Sequence, residues 1–250
     1  MLLATFLPAK NRHSLRVVYN GPVMSLKSIW QALLRFGFRL LYNELAWTYD
    51  LVSWLVSLGE WRAWQQAALP FVAGRDVLEI GHGPGHMLLA LQNARYDVVG
   101  LDLSPFMGRR AQRRTQRTVP LVRGKVQDLP LATAVFDTVL ATFPTEYIID
   151  PAALTAIARV LRVNGRLVIV PEGQLTGRGP LQRAIEWLFA ITGQRYAAAE
   201  AADGRETAVW QQFLPRFRAA GFQVAFVRVT RPRSQVTVII ATKQAGEQWM

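Results

Sequence analysis

The run Val77-Leu78-Glu79-Ile80-Gly81-His82-Gly83-Pro84-Gly85 carries the strongest chemical signal in the chain. A short apolar stretch brings in an acid, and alternating glycines lead into a helical pattern over 87–94. Glycine lets the backbone take positive φ and lets a ligand approach the main chain, and free amides at a helix start favour an electronegative group. A dinucleotide loop would read G-x-G-x-x-G. Here the third glycine comes one residue early, and His86 takes the later place. No Gly-Lys-Ser/Thr follows, which excludes a triphosphate P-loop. Glu79 would repel a pyrophosphate but would make a charge-assisted hydrogen bond with an ammonium group. The loop therefore predicts a ligand with a cationic end.

Further polar positions continue the pattern. Asp102, followed by Leu103, closes the next apolar stretch (97–101) at roughly the 20-residue spacing of an acid that binds ribose hydroxyls. Gln127-Asp128 follows a third stretch, 119–123, where a carboxylate would accept from an adenine amino group; a plain turn before Leu129-Pro130 explains Asp128 equally simply.

These positions must lie at the ends of neighbouring strands. Strands are predicted at 76–80, 97–101, 119–123, 136–141 and 166–170, the last entered through a turn at Asn164-Gly165. Ser104-Pro105 and Asp150-Pro151 each give a cap with proline at the first helical position, for helices running to about Arg117 and Arg162. The alternation predicts a parallel α/β sheet covered by helices on both faces. Segments 222–229 and 235–242, joined through Arg231-Pro232, predict an antiparallel pair after a helix over 207–220 that contains Pro215. Segment 171–206 is too long for an ordinary connection. Its apolar helix at 181–191, which includes Trp187, and its flanking Gly173, Gly177, Gly179 and Gly193 predict a hinged lid. Residues 1–70 read as a helical extension to a domain spanning 71–250. One helix covers 25–46 with Trp30, Leu33, Phe36 and Phe38, and an aromatic-rich one runs from Trp47 to Pro70.

Over about residues 72–170 the chain resembles the class I S-adenosylmethionine-dependent methyltransferases, and the terminal hairpin agrees. The resemblance implies a Rossmann-like, seven-stranded, mostly parallel sheet with N-terminal helices and S-adenosylmethionine as cofactor. It implies that Glu79, Gly81, His82, Gly83 and Gly85 hold the methionine end, Asp102 and Leu103 the ribose, and Gln127 and Asp128 the adenine. Thr142 or Phe143 after the fourth strand would also touch the cofactor. His82 and Pro84 depart from the usual loop residues. Tyr49-Asp50-Leu51 through Gly59-Glu60-Trp61-Arg62 further resembles the first helices of quinone and bacterial phospholipid methyltransferases, which implies that Tyr49 lines the cofactor pocket; a tyrosine packed in the core is the alternative.

Methyl transfer needs alignment more than acid–base chemistry, and a base only when the acceptor must lose a proton. Glu146, Tyr147, His86 and Glu172 are the polar candidates near the reaction centre; a loop acid, a packed tyrosine and a capped histidine are their plainer readings. Metal-assisted transfer would need acids after the fourth and fifth strands, where only Glu172 stands, so no metal is expected. Thr142-Phe143-Pro144-Thr145-Glu146-Tyr147 lacks the Asn/Asp-Pro-Pro-Tyr/Phe of base-modifying DNA enzymes.

The 250 residues carry no cysteine and a net charge of +12. Disulfides and thiolate sites are excluded, and histidines at 13, 82 and 86 do not suggest a zinc site. Met1 to Leu7 is apolar, but the basic residues follow it, unlike a secretory signal; Met24 offers an alternative start. Residues 103–125 hold Arg109, Arg110, Arg113, Arg114, Arg117, Arg123 and Lys125 and no acid. A solvated helix face explains part of this. With the aromatic helices over 25–64 it predicts a cytoplasmic protein in peripheral contact with the inner face of an anionic membrane. Nucleic acid is the weaker partner, because only Phe106 is interleaved as a stacking platform. The predicted acceptor is small or lipid-like, a quinone-like ring or a lipid amine. An RNA methyltransferase and a non-catalytic cofactor-binding module are the competing readings.

Overall fold

The computed structural model describes Leu33, Phe36, Gly37, Arg39, Leu40, residues 44–176, Gly179 and residues 210–245. The expected lid helix with Trp187, the proposed hinges Gly177 and Gly193, and most of the helix over 25–46 lie outside the described residues. Leu33, Phe36, Gly37, Arg39 and Leu40 are helical, as the pattern predicts.

The strands are β1 (Asp76–Ile80), β2 (Asp97–Asp102), β3 (Leu121–Arg123), β4 (Phe136–Thr142), β5 (Leu161–Val170), β6 (Gly173–Leu175), β7 (Phe222–Thr230) and β8 (Ser234–Lys243). The helices are α1 (Tyr49–Ser57), α2 (Trp61–Gln66), α3 (His86–Asn93), α4 (Pro105–Arg114), α5 (Pro151–Val160) and α6 (Leu214–Ala219). The caps form as their residues dictate. Ser104 Oγ accepts from Met107 N at 3.2 Å, and Asp150 Oδ1 accepts from Ala152 N at 2.9 Å. Pro215 sits in the first turn of α6, where its missing N–H interrupts no helical hydrogen bond.

The sheet runs β3-β2-β1-β4-β5-β8-β6, with β7 paired to β8. Strands β3, β2, β1, β4 and β5 are parallel, and β8 is antiparallel to β5, β6 and β7. The expectation of seven strands meets eight segments. The extra one, β6, continues β5 along the same edge of β8, displaced by one residue of register across Pro171-Glu172. The predicted turn at Asn164-Gly165 lies within β5. Asn164 takes φ 63° there, and pairing with β4 shifts register between Phe136 and Thr138. Asparagine tolerates this left-handed conformation, so the strand bulges and continues.

Two cores flank the sheet. Leu78, Ile80, Val139 and Ile169 pack with Leu154 and Ile157 of α5. Val77, Leu140 and Val168 pack with Met87, Leu88 and Leu91 of α3 and with Trp64. Strands covered on both faces are buried almost throughout, as β1 and β4 are, with Glu79 of β1 the charged exception in the interior. Gly173, predicted as a hinge, is instead a strand residue in a close approach: a Cβ there would lie 2.2 Å from the Trp64 ring. Ser57 joins the first two helices, its hydroxyl donating to Ser53 O at 2.6 Å and accepting from Trp61 N at 3.0 Å.

Candidate functional site

A cavity of about 690 Å³ opens at the carboxyl ends of β1, β2, β3 and β4, where parallel α/β sheets place their ligands. Its wall includes Gly81 and Gly83 from the first loop, Asp102 and Leu103 from the second, Gln127 after β3, Thr142 and Phe143 after β4, then Tyr147, and Tyr49 from α1. Most of the predicted cofactor residues therefore converge. Ser104, Gly124, Lys125, Val126 and Thr145 also line it and were not foreseen. They flank predicted positions, so the sequence marked the right loops but not every residue facing inward.

The loop follows from its residues. Gly81 takes φ 69°, and a Cβ on it would lie 2.7 Å from Tyr147 Oη, so a side chain is barred on both counts. Gly81 N donates to Leu101 O at 2.7 Å, holding the first loop to β2. Asp102 completes the join: Oδ2 accepts from Gly83 N at 2.9 Å and Oδ1 from Ser104 N at 2.8 Å. Gly85, in the left-handed region, caps α3 and does not line the cavity. His82 is also off the wall. It is buried beside Gly100, its Nδ1–H donating to Gly83 O at 2.7 Å. Burial pushes its pKa down against the pull of Asp102, which favours the neutral ring.

Glu79 is fully buried, and among the described residues neither carboxylate oxygen has a hydrogen-bond partner. Burial, with Asp102 adding to it, holds its pKa well above the ordinary carboxylate value. Its neighbours Ile80 and Gly81 are on the cavity wall and Glu79 is not.

The remaining candidates separate. The 3-10 turn Val126–Asp128 turns Gln127 inward, its Nε2 donating to Asp150 Oδ2 at 3.1 Å. Asp128 is exposed and off the wall. Tyr147 faces the cavity, whereas Glu146 is exposed and off the wall. His86 Nε2–H donates to Asp50 Oδ1 at 2.7 Å and does not line the cavity. Asp50 Oδ2 accepts from Arg110 Nη2 at 3.1 Å and Arg114 Nη2 at 2.7 Å, and Arg114 Nη1 also donates to Pro84 O in the loop. This charge cluster, which pairing rules could not foresee across so many residues, fastens α1 to the loop.

Aromatic packing forms the far wall. Phe143 stacks on Trp61 with centroids 4.1 Å apart, and Tyr49 meets Trp61 edge-on at 6.3 Å. Phe143 holds φ 52°, a conformation that costs a bulky residue roughly 1–3 kcal/mol and that the surrounding packing must sustain. Thr142 Oγ1 accepts from Gln65 Nε2 at 3.1 Å, again tying the N-terminal helices to the strand ends.

Residues 78–169 match the family model described as a methyltransferase domain. A demethylmenaquinone methyltransferase from Lactiplantibacillus plantarum is 32% identical over 207 residues, covering 73% of this chain and 86% of the relative. The chain belongs to the class I S-adenosylmethionine-dependent methyltransferases. A demethylmenaquinone methyltransferase from Thermobifida fusca is 33% identical over 60% of this chain and 67% of the relative. Among solved structures, an S-adenosylmethionine-dependent methyltransferase from Methanococcus maripaludis aligns with TM-score 0.54 and 18% identity, covering 81% of this chain and 94% of the other. That likeness bears on the fold alone.

The residues of this methyltransferase fit S-adenosylmethionine. An unpartnered buried carboxylate is costly until a cation compensates it, and the cofactor's ammonium is such a cation. The open space at Gly83, where a Cβ would meet nothing within 4 Å, leaves room for the ligand against the main chain. When bound, the cofactor supplies an electrophilic methyl group on a sulfonium.

Proposed function

We propose that this methyltransferase methylates a small lipophilic acceptor, a quinone-like ring above all, within the cavity bounded by the glycine loop and the aromatic wall. The observation that carries the reading is that one cavity is lined both by the loop beside Glu79 and by Tyr49, Phe143 and Tyr147. Flat apolar walls suit a planar ring, and the names of the relatives at about a third identity point to the same chemistry. In this reading Glu79 takes the ammonium, the side-chain-free backbone of Gly81 and Gly83 lies against the methionine end, Asp102 and Leu103 take the ribose, and Gln127 the adenine edge. His82 and Gly85 shape the loop from beneath, and Asp128 contributes through its turn.

Tyr147 is the polar side chain best placed to orient the acceptor or take its proton as the new carbon–methyl bond forms. Glu146 and His86 then have no direct part, and His86 acts by holding α1. Among the described residues no group of three or more His, Asp or Glu side chains stands where it could hold a metal ion.

The test is a methyl-transfer assay with a 2-substituted naphthoquinol as acceptor and mass detection of one added methyl group. No methylated product from naphthoquinols, with cofactor affinity intact, would remove the quinone reading. Tyr147→Phe should lower turnover by roughly 10²-fold or more, within the range of acid–base contributions, with cofactor affinity little changed. Normal turnover in that variant would end the role given to Tyr147.

A further inference from the structure

Helix α1 is built inside out. An ordinary surface helix buries its apolar stripe and exposes its polar one. Here the buried residues are Ser53 and Ser57, while Leu51 is 59%, Trp54 58% and Leu55 51% exposed, with Trp47 just before them at 69%. Positions 47, 51, 54 and 55 share one helical face. The inner face is satisfied by hydrogen bonds instead: Ser57 with Ser53 O and Trp61 N, and Asp50 with His86, Arg110 and Arg114.

The Asp50 contacts hold this apolar face beside α4. On α4 and just beyond, Arg109, Arg113 and Arg117 are exposed. Arg109 lies over the Phe106 ring at 4.5 Å, and Leu103, which lines the cavity, is 55% exposed. Exposed tryptophan and leucine, flanked by arginines with no acid between residues 103 and 125, match the chemistry of a lipid–water interface: indole rings favour the headgroup level, and guanidinium groups are drawn to anionic headgroups.

We propose that the outer face of α1, with Leu103, Phe106 and the outward arginines of α4, docks on an anionic lipid bilayer. Leu103 belongs both to this face and to the cavity wall, so docking brings that side of the cavity to the membrane. A lipophilic acceptor then reaches the site without crossing water; that consequence alone rests on the proposed function. A second copy of the chain fits the face less well, because a two-fold contact would bring like-charged arginines together. RNA would use the arginines but not Leu51 and Leu55.

The experiment is flotation of the full chain with phosphatidylcholine vesicles, with and without phosphatidylglycerol, at low and moderate salt. Wild type should float with phosphatidylglycerol vesicles at low salt and dissociate as salt rises. Leu51→Ser/Trp54→Ser should weaken binding by about tenfold or more, and Arg109→Glu/Arg113→Glu should remove the preference for anionic lipid. None of these side chains lines the cavity, so cofactor titration should be unchanged in both variants; it certifies their folding. Docking is read without turnover, so a failed quinone assay leaves this proposal standing. Failure of wild type to float at low salt would overturn it, as would equal binding to both vesicle types or undiminished binding by the Leu51/Trp54 variant. A dimer abolished by those serines, or an RNA complex needing only the arginines, in place of vesicle binding, would assign the face to another partner.

Discussion

The decisive side chain at the smallest scale is Glu79. Its carboxyl is buried without a hydrogen-bond partner among the described residues, and burial followed by Asp102 raises its pKa well above the ordinary value of 4.5. A raised carboxyl favours the protonated folded state. The associated stability is fully present below 4.5 and fades as pH rises through the raised value. An ammonium group placed beside Glu79 reverses the preference. Binding of S-adenosylmethionine should therefore release up to about one proton per site, measurable by calorimetry at one pH in buffers of different ionisation enthalpy. Glu79→Gln should abolish the release; release that persists in that variant would place the proton elsewhere. Glu79→Ala and Asp102→Ala should each weaken cofactor binding by roughly tenfold or more, the effect of losing a contact of about 1.5–3 kcal/mol. Asp102 carries a second burden because its carboxylate already joins Gly83 to Ser104, so its loss also frees the loop. Unchanged affinity in both variants would contradict these roles.

Among the elements, α1 depends on a single carboxylate. Asp50 is fastened to His86, Arg110 and Arg114, all less than a third exposed. Burial would raise the Asp50 pKa, but the hydrogen bond and charge of His86, then Arg114, outweigh it and hold the group below its usual 3.8. For His86, burial lowers the pKa below 6.5, and the charges of Arg114 and Arg62 reinforce this against Asp50. A depressed folded-state pKa gives stability present above the unfolded value and lost as pH falls. Docking of α1 should weaken below about pH 6.5, where the unfolded chain takes the His86 proton first. Asp50→Asn should cost about 1–3 kcal/mol in urea unfolding, because the cationic groups around it lose their acceptor. It should also lower cofactor affinity, since Arg114 reaches Pro84 O in the loop. A variant with wild-type stability and wild-type affinity would show that the cluster does not position the loop.

For the whole molecule, the cavity joins loops from β1, β2, β3 and β4 to the N-terminal helix, so a ligand there should stabilise the entire unit. S-adenosylmethionine at about 100 times its dissociation constant adds about 2.7 kcal/mol, which corresponds to roughly 5–10 °C in Tm for a protein of this size. Scanning calorimetry with and without cofactor measures it, and an unmoved Tm at saturation would contradict the cavity assignment. Turnover should survive exhaustive chelation with EDTA; loss that a divalent ion restores would require ligands other than those described.

Local patterns carried much of this in the sequence. Glu79 with the spaced glycines, Asp102 at the end of the next strand, and the proline caps at 105 and 151 each express physics confined to a few neighbouring residues: positive φ, charge pairing, helix initiation. The parallel order and the terminal hairpin followed from alternation and connection length. What the sequence could not contain was which way a side chain turns inside a short turn, or which distant group meets it. Gln127 faces the cavity and Asp128 faces solvent because a 3-10 turn intervenes. Asn164-Gly165 bulges within a strand because neighbouring β4 pairs with both sides of it. His86 looked poised for chemistry and is instead held by Asp50, a partner 36 residues away. Phe143 takes a strained backbone against Trp61. Those outcomes belong to the tertiary structure, because hydrogen bonds and packing between residues remote in sequence have no local pattern to announce them.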